Sequence, residues 1–275
     1  MKTAPLLVIK VGGALLQSGA ALEGTAASIA ATQRAGFKVV VVHGGGSAIA
    51  SLAQALGLKE RKVDGLRVTD AATAEVALAV LAGTQGKGLA AALGRQGCEA
   101  VSLCGADAKL LSARVARGGE LGFVGRVQHV NTGLLDDLLA QGRVPLIAPI
   151  APLAPQHDRP GVPLHNINAD EAAGPIAQAL NADALLFLTD VQGVLDSDGQ
   201  CLPHLDRQGA RALRAQGTLG AGMLPKIHSA LSAADALPDA QVRIASPAHG
   251  GQSYHHLLEQ KCGTSLGSQR VMAHD

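Results

Sequence analysis

The stretch LLVIKVGG, residues Leu6–Gly13, carries the strongest indication of the fold of this chain. Its apolar run predicts a short buried strand that ends at Lys10. A buried ammonium is costly unless an anion pairs with it, and the glycines at positions 12 and 13 let backbone amides approach a ligand closely. A cation beside exposed amides at the end of a strand favours a phosphate site. A lysine whose ammonium simply reaches solvent is the alternative.

Short β-branched runs alternate with Ala- and Leu-rich segments of helical length along the 275 residues. This pattern predicts an α/β protein with a mainly parallel central sheet. Leu111–Val130 predicts a β-hairpin, and the proline-rich Ala151–Leu164 predicts a rigid connection. The predicted strands are Leu6–Lys10, Lys38–Val42, Ala100–Leu103, Arg143–Ile150, Ala184–Thr189 and Gln241–Ile244. The predicted helices are Leu22–Ala35, Ser47–Leu56, Ala71–Leu81 (capped by Asp70), Gly88–Gln96, Thr132–Gln141, Asp170–Leu180, Arg207–Ala215 and Pro225–Ala236.

The composition bounds the class of protein. Hydrophobic residues make up 47% and charged residues 16%, which indicates an ordered globular chain. A net charge of +1 and few aromatic residues argue against a nucleic-acid partner. Four cysteines without C-x-x-C spacing indicate free thiols rather than a metal or redox motif. The apolar run before Lys10 is too short for a signal peptide, and no apolar stretch has transmembrane length, so we expect a cytoplasmic protein without a membrane partner.

A second glycine cluster follows a predicted strand in the stretch VVVVHGGGS, residues 39–47. A strand that runs through three glycines into a helix presents amides and a positive helix dipole to an anion, although a plain tight turn is equally compatible. The dinucleotide pattern G-x-G-x-x-G fails because Ile49 occupies its last position, which argues against an NAD-linked dehydrogenase. Lys87 follows glycines without Walker A spacing and is interpreted as a solvated helix lysine.

Polar residues at two further places suggest carboxylate and cation chemistry. Arg67 stands between a glycine turn and a helix start, where its guanidinium can bind a carboxylate, although a surface arginine is the alternative. Asn166 and Asn168 are expected on one side of a strand. Asp170, at the start of the next helix, acts either as an N-cap or as the anion that holds two cations. His165 is interpreted as a packing or surface residue.

The last third of the sequence adds a strand end and a second lysine. A predicted buried strand runs into Asp190 and a turn at Gly193, and ligands of open α/β sheets bind at the carboxyl ends of strands. A glycine-containing loop then leads to Lys226 in the first turn of a predicted helix. A cation there opposes the helix dipole, so Lys226 requires either an anion or full solvation.

Taken in order, six motifs resemble the amino acid kinase family: IKVGG at 9–13, HGGG at 43–46, GLRVT at 65–69, NINAD at 166–170, TDVQG at 189–193 and GMLPK at 222–226. The resemblance extends from Lys10 to Thr264. It implies one amino acid kinase domain, 1–275, with the fold of a three-layer αβα sandwich. Its approximate lobes would be an acyl amino acid-binding N-lobe, 1–165, and an ATP-binding C-lobe, 166–275.

Within the family, the motifs are similar to those of members that use ATP and Mg²⁺ to phosphorylate the γ-carboxylate of N-acetyl-L-glutamate. The product is N-acetyl-γ-glutamyl phosphate, formed in the second step of arginine biosynthesis. The resemblance implies catalytic roles for Lys10, Lys226, Asp170, Gly13 and Gly45. It implies substrate binding by Gly44, Gly45, Gly65, Arg67 and Asn166. It implies nucleotide binding by Gly12, Asp190, Gly193, Val194, Gly222 and Met223, with no metal ligand from the protein.

Two departures from the family pattern bear on regulation and loop shape. Ala221 replaces the first glycine of a common Gly-Gly-Met, and alanine tolerates positive φ poorly. The nine residues before Lys10 leave no room for the N-terminal helix of arginine-inhibited relatives. We therefore expect a homodimer that arginine does not inhibit in that manner, although Tyr254–Glu259 is similar to a helix of the inhibited type.

Two alternative functions stay open on the sequence. One is a sister kinase that acts on aminoadipate or glutamate held on a carrier protein. The other is a catalytically silent domain that binds metabolites. The presence of both Lys10 and Lys226 argues against it, because a binding domain does not need both lysines.

Overall fold

The computed structural model describes residues 4–17, 19–63, 66–220, 222–249 and 253–267, without the side chains of residues 62, 66, 67 and 249. The strands are β1 (Leu6–Val11), β2 (Lys38–His43), β3 (Lys62–Val63), β4 (Leu66–Arg67), β5 (Ala100–Cys104), β6 (Leu111–Val115), β7 (Val124–Val130), β8 (Val144–Ala148), β9 (Ile150–Ala151), β10 (His165–Ile167), β11 (Ala184–Leu188), β12 (His204–Leu205), β13 (Gln241–Ala245) and β14 (Thr264–Leu266). The helices are α1 (Gly19–Arg34), α2 (Gly46–Ala55), α3 (Ala71–Leu78), α4 (Gly86–Arg95), α5 (Gly133–Ala140), α6 (Ala169–Ala179), α7 (Arg207–Ala215), α8 (Met223–Ala236) and α9 (His256–Glu259).

The predicted central sheet is present and has eight strands in the order β12-β14-β13-β11-β1-β2-β8-β5. The pairs from β5 across to β13 are parallel, and the sheet reverses direction only between β13 and β14. β1 lies in the middle, where Lys10 pairs with Val42 on one side and with Phe187 on the other. The predicted strand at its start is therefore confirmed as an interior strand.

Alternating side chains of β1 enter two different cores, because successive residues of a strand point to opposite faces. Leu6 and Val8 pack with residues of α5, α6 and α8. Leu7 and Ile9 pack with residues of α1, α4 and α9 on the other face. Helices thus cover both faces of a mainly parallel sheet, which confirms the expected three-layer αβα sandwich. Lys10, two residues after Val8, points to the α6 and α8 side.

A smaller sheet lies beside the main one, with the strand order β6-β7-β10-β9. The antiparallel pair β6 and β7 is the predicted hairpin. The short strand β10 pairs in parallel with β7 and antiparallel with β9. Because α6 follows β10 directly, this sheet fixes where α6 begins.

Several predicted boundaries differ from the structure by one to three residues, and three elements differ in ways that bear on the fold. The predicted strand Arg143–Ile150 is two strands, β8 and β9. α8 begins at Met223, so Pro225 is its third residue and not its first. The helices predicted over Ala71–Leu81 and Gly88–Gln96 are joined by a π-helical segment, Ala79–Gln85, into one helical run.

This run, Ala71–Arg95, has 25 residues and by length and composition alone could cross a membrane. By that measure, the prediction that no apolar stretch has transmembrane length is wrong. In the fold, Ala77, Leu89 and Leu93 of the run are fully buried in the domain. The run thus packs as a core helix of the domain.

Residues from both predicted lobes build the main sheet. β1, β2, β5 and β8 come from the first 165 residues, and β11 to β14 come from the rest. The two sets join through the parallel pairing of β1 with β11. The division into lobes near residue 165 stays a prediction.

Candidate active site

Lys10 is a buried charge with a partner. Its side chain is 7% exposed, and its Nζ lies 2.7 Å from Oδ1 of Asp170. The position results from β1, which carries the residue in the middle of the sheet, on the face that α6 covers. The alternative of a lysine that reaches solvent is therefore wrong.

Asp170 is free to pair with lysines because another residue caps its helix. Oδ1 of Asn168 accepts a hydrogen bond of 3.0 Å from the Asp170 amide, which makes Asn168 the N-cap of α6. The carboxylate of Asp170 lies in the first turn, where the helix dipole favours an anion. Of the two roles proposed for Asp170, the structure supports the holding of cations.

Lys226 reaches the same carboxylate from α8. Its Nζ lies 3.0 Å from Oδ1 and 3.3 Å from Oδ2 of Asp170, and the residue is 8% exposed. A lysine in the first turn of a helix is unfavourable on its own. Asp170 supplies the anion that the sequence analysis required for it.

The ionisation of this group follows from burial and from the three charges. Burial, the largest effect, together with the positive charge of Lys226 lowers the pKa of Lys10 to about 8, although Asp170 opposes the shift. For Asp170, burial raises the pKa, but the attraction and hydrogen bonds of the two lysines outweigh it, and the net shift is downward. The cluster sets two ammonium groups against one carboxylate, an excess of one positive charge.

The two glycine turns meet beside Lys10. A Cβ atom added to Gly13 would lie 2.9 Å from the Cα of Gly45, closer than side chains approach backbone. The amide of Gly44 donates a 2.9 Å hydrogen bond to the carbonyl of Val11, which holds the second turn against the end of β1. The backbones can approach this closely only because neither residue has a side chain.

These elements line a cavity of about 530 Å³, and Lys10 is one of its lining residues. Of the predicted substrate residues, Gly44, Gly45 and Asn166 line it, as does Gly13. The apolar residues that line it, called the apolar wall below, include Ile49, Leu81, Val124 and Pro149. The cavity thus combines Lys10, backbone turns and an apolar wall with one acidic residue, Glu60. This lining suits a small molecule that has anionic, polar and apolar parts.

The apolar wall and two polar residues of the cavity, Ser47 and Glu60, were not predicted from the sequence. Leu81 lies in the π-helical segment, and Val124 lies on β7, both distant from the motifs in sequence. No local pattern could have identified them, because an apolar residue in a helix or strand is the usual core residue. Ser47 directly follows the three glycines, so its position was the one available signal.

Two predicted substrate residues lie partly or wholly outside the described residues. Gly65 lies outside the described residues. Arg67 lies on β4 and pairs with Lys62, but its side chain lies outside what the structure describes. Ala221, the departure in the loop before α8, is likewise outside the described residues.

The predicted nucleotide residues are absent from the lining of this cavity. Gly12 follows β1, and Asp190 is exposed just after β11. Gly222 precedes α8, whose first residue is Met223. Gly12, Asp190, Gly222 and Met223 thus lie at the ends of β1, β11 and α8.

Gly193 and Val194 have a visible packing role. A Cβ atom on Gly193 would lie 2.7 Å from Oγ1 of Thr264, and the same hydroxyl accepts a 2.8 Å hydrogen bond from the Val194 amide. Val194 is fully buried. These contacts fix the turn after β11 against β14.

Two histidines next to the motifs are buried. His165, 4% exposed, packs edge-on against Phe123 at a ring distance of 5.5 Å, which confirms its interpretation as a packing residue. His43 ends β2 directly before the glycines and is fully buried. Burial lowers the pKa of His43 to about 4, so its ring is neutral at neutral pH.

The fold and the site define a class of protein. The model of the amino acid kinase family matches residues 5–246. The chain belongs to this family, and membership of a kinase family implies the use of ATP.

Within the family, the similar relatives are acetylglutamate kinases. The chain is 38% identical over 263 residues to the acetylglutamate kinase of Campylobacter hominis, a match that covers 96% of this chain and 89% of the relative. It is 41% identical over 226 residues to that of Campylobacter curvus, covering 82% of this chain and 78% of the relative. These matches favour a kinase of acetylglutamate over the two alternatives left open by the sequence.

A solved structure with the same fold is the N-acetylglutamate synthase from Neisseria gonorrhoeae, in complex with coenzyme A and N-acetyl-glutamate. Its TM-score is 0.79 at 27% sequence identity, with 98% of this chain covered. The chain spans 60% of the length of that synthase.

Proposed function

We propose that this protein transfers the γ-phosphoryl group of ATP to the γ-carboxylate of N-acetyl-L-glutamate, giving N-acetyl-γ-glutamyl phosphate and ADP. This is the second step of arginine biosynthesis. The observation that supports it best is the pair of buried lysines on Asp170, of which Lys10 lines a cavity bordered by glycine turns. The names of the relatives supply the substrate.

The chemistry requires positioning more than proton transfer. A carboxylate is ionised at pH 7, so the nucleophile needs no general base. One carboxylate oxygen forms a bond to the γ-phosphorus while the bond from that phosphorus to the bridging oxygen of ADP breaks. No proton is gained or lost by the reacting groups. The barrier arises from bringing two anions together and from charge on the transferred phosphoryl oxygens.

We assign Lys10 to the phosphoryl group near the attacking carboxylate and Lys226 to the side of the leaving ADP. Asp170 keeps both ammonium groups charged and directed toward the same region, since its oxygens already contact both. The excess positive charge of the three residues then matches the anion that enters. Because the cluster is buried, each charge acts with little screening by water.

The backbone amides of Gly13 and Gly45 are assigned to the phosphoryl oxygens. Their backbones already lie against each other beside Lys10. Amides fixed in this way stabilise charge that develops in the transition state without reorganisation. The positive end of α2, which begins at Gly46, adds to the same field.

The acyl amino acid is assigned to the cavity of about 530 Å³. Asn166 would bind the N-acetylamide region, and Gly44 and Gly65 would contribute backbone groups. Arg67 would pair with the α-carboxylate. The apolar wall suits the acetyl methyl and the methylene groups of the substrate.

ATP is assigned to the C-terminal half of the domain, at Gly12, Asp190, Gly193, Val194, Gly222 and Met223. Mg²⁺ would be held by phosphate oxygens and water, since Asp170 is engaged by two ammonium groups and cannot serve as its ligand. When bound, the ion neutralises charge on the phosphates. A homodimer in the cytoplasm is part of the proposal, and sedimentation velocity tests the dimer.

The experiment is ATP-dependent formation of an acyl hydroxamate, with N-acetylglutamate, glutamate, aspartate and N-acetylaminoadipate compared at equal concentrations. Hydroxylamine traps acyl phosphates, so colour reports the product directly. We expect N-acetylglutamate to give the highest kcat/KM. If ATP binds but N-acetylglutamate gives no hydroxamate, the proposal is wrong.

A further inference from the structure

Three potential metal ligands lie together on the last described helix, on the face of the sheet opposite to Lys10. They are His255, His256 and Glu259, and one donor atom from each lies within 4.8 Å of the others. The two imidazole rings are 4.3 Å apart between centroids. Nε2 of His255 lies 4.0 Å from Oε2 of Glu259. The kinase chemistry proposed above uses none of these residues.

His255 is held in one orientation by its neighbours. Its ring stacks on Phe37 with centroids 5.1 Å apart and planes 23° from parallel. Its Nδ1 lies 2.6 Å from Oγ of the buried Ser253. That hydroxyl lies 3.0 Å from Oγ1 of the fully buried Thr32.

This chain of hydroxyl groups fixes where the protons are. Oγ1 of Thr32 donates its one proton to the carbonyl of Ser28, at 2.7 Å, so it can only accept from Ser253. The Ser253 hydroxyl therefore donates its hydrogen bond to Thr32 and must accept a hydrogen bond from Nδ1–H of His255. In the neutral imidazole, Nε2 then has a free electron pair directed toward the other two ligands. An imidazole oriented by a hydrogen bond at its other nitrogen is the usual arrangement of a metal ligand.

We propose that His255 Nε2, His256 and the Glu259 carboxylate bind one Zn²⁺ ion, with water as the fourth ligand. Two imidazoles and a carboxylate favour zinc and related transition metals over Mg²⁺. Zinc needs ligands about 2.0–2.2 Å away, so the donors must move closer together. The Glu259 side chain is 61% exposed and can supply this movement, while His255 stays fixed.

The surroundings of the three residues also suit a cation. A cavity of about 230 Å³, lined by Phe37, Asp183, His255 and Glu259 among others, adjoins the ligands and can hold the water. Oδ2 of Asp183 accepts a 2.7 Å hydrogen bond from the Leu6 amide, which directs this carboxylate toward β1.

The ligand geometry depends on the fold, because Ser253 and Thr32 are 221 residues apart in the chain. The ion would bind the folded protein in preference to the unfolded one, and would raise the melting temperature by mass action. All three ligands lie within residues 255–259, so the ion would hold the start of α9 in its folded conformation, on the face of the sheet opposite to Lys10. The melting temperature therefore reports binding of the ion without any measurement of kinase activity.

The test uses the full-length protein, freed of metal, with Zn²⁺ alone and with Co²⁺ as a spectroscopic probe. We expect calorimetry to show one Zn²⁺ bound per chain. Zn²⁺ should raise the Tm, and Mg²⁺ should leave it unchanged. Bound Co²⁺ should give the intense visible bands of a tetrahedral site. His256→Ala and Glu259→Gln should each weaken Zn²⁺ binding at least tenfold. Ser253→Ala should weaken it several-fold through the orientation of His255.

His129→Ala is the matched control, because His129 is an exposed histidine on β7 outside the cluster. It should bind Zn²⁺ as the unaltered protein does. Circular dichroism checks that every variant is folded, and both His256 and Glu259 lie at positions that are at least partly exposed. Equal Zn²⁺ binding by His256→Ala and the control would overturn the proposal. So would a thiolate-to-Co²⁺ charge-transfer band, which would assign the ion to a cysteine.

Discussion

Lys10 and Lys226 donate to the same oxygen atom, Oδ1 of Asp170, over 2.7 and 3.0 Å. They come from a central strand and from a helix more than two hundred residues later in the chain. Two ammonium groups this close repel each other, and one carboxylate neutralises only half of their charge. The arrangement is favourable with an anion bound, and it is what a site for a transferred phosphoryl group requires.

Lys10→Met should reduce kcat by about 10²–10³-fold, the usual effect of removing one charge-stabilising donor. Folding should change much less, because Asp170 keeps its pair with Lys226. The measurements are hydroxamate formation at saturating substrates and the Tm. Lys59→Met, at an exposed lysine, is the control and should match the unaltered enzyme. A Lys10→Met enzyme with normal kcat would remove Lys10 from the reaction.

Asp170→Asn should destabilise the protein more than either lysine variant does. It leaves two buried ammonium groups without an anion, and breaking a buried ion pair costs about 3–5 kcal/mol. Urea denaturation at pH 7 measures the free energy of unfolding. Lys226→Met serves as the comparison, since it leaves one cation and one anion. If the two variants lose equal stability, the carboxylate is not what keeps the lysines in place.

The value of kcat/KM should fall as the pH rises through about 8. Lys10 has a pKa of about 8, so it is charged below that pH and neutral above it, where it no longer attracts phosphate. Bound ATP adds negative charge and raises the pKa of Lys10, so the decline of kcat should occur at higher pH than that of kcat/KM. Steady-state rates from pH 6 to 10 provide both profiles, and a flat kcat/KM over this range contradicts the assignment.

Gly13→Ala should impair turnover without unfolding the domain. The new Cβ would lie 2.9 Å from the Cα of Gly45, so the two turns must separate and their amides lose alignment. We expect kcat to fall by about 10²-fold, in the range seen for the loss of one oxyanion donor. Gly24→Ala in α1 is the matched control, because a Cβ at that position meets open space. Comparable rates for both variants would show that the contact of the turns does not matter.

Acid should destabilise the protein through His43. Its pKa is about 4 in the folded protein and 6.5 when unfolded, so the unfolded chain binds the extra proton first. The contribution of His43 to the free energy of unfolding is therefore fully present above pH 6.5. It is lost as the pH falls toward 4, by about 3 kcal/mol in total.

The unaltered protein and His43→Asn are compared by urea denaturation at pH 7 and pH 5. The comparison separates the effect of His43 on stability from the effects of His165 and His255, whose pKa values burial also lowers. The variant should be less stable at pH 7 but should lose less stability on acidification. An equal loss in both proteins would mean that His43 is not the group that titrates.

The fold could be predicted well because its signals are local. The apolar run of β1, the strand before the glycines at 44–46 and the capped start of α3 all depend on neighbours in the sequence. The predicted boundaries of helices were wrong where tertiary packing overrides the local sequence preference. The π-helical segment joined two predicted helices, and Pro225, with its fixed φ, was tolerated within the first turn of α8.

The sequence by itself determined which residue types were available: two lysines that needed an anion, one aspartate at a helix start and two glycine turns. It also determined the alternation of strands and helices that makes an αβα sandwich. Only the tertiary structure decided that Asn168, and not Asp170, caps α6, and that one carboxylate oxygen serves both lysines. The helix cap depends on hydrogen bonds within three residues of the chain. The contact between β1, α6 and α8 depends instead on how the sheet and its helices pack.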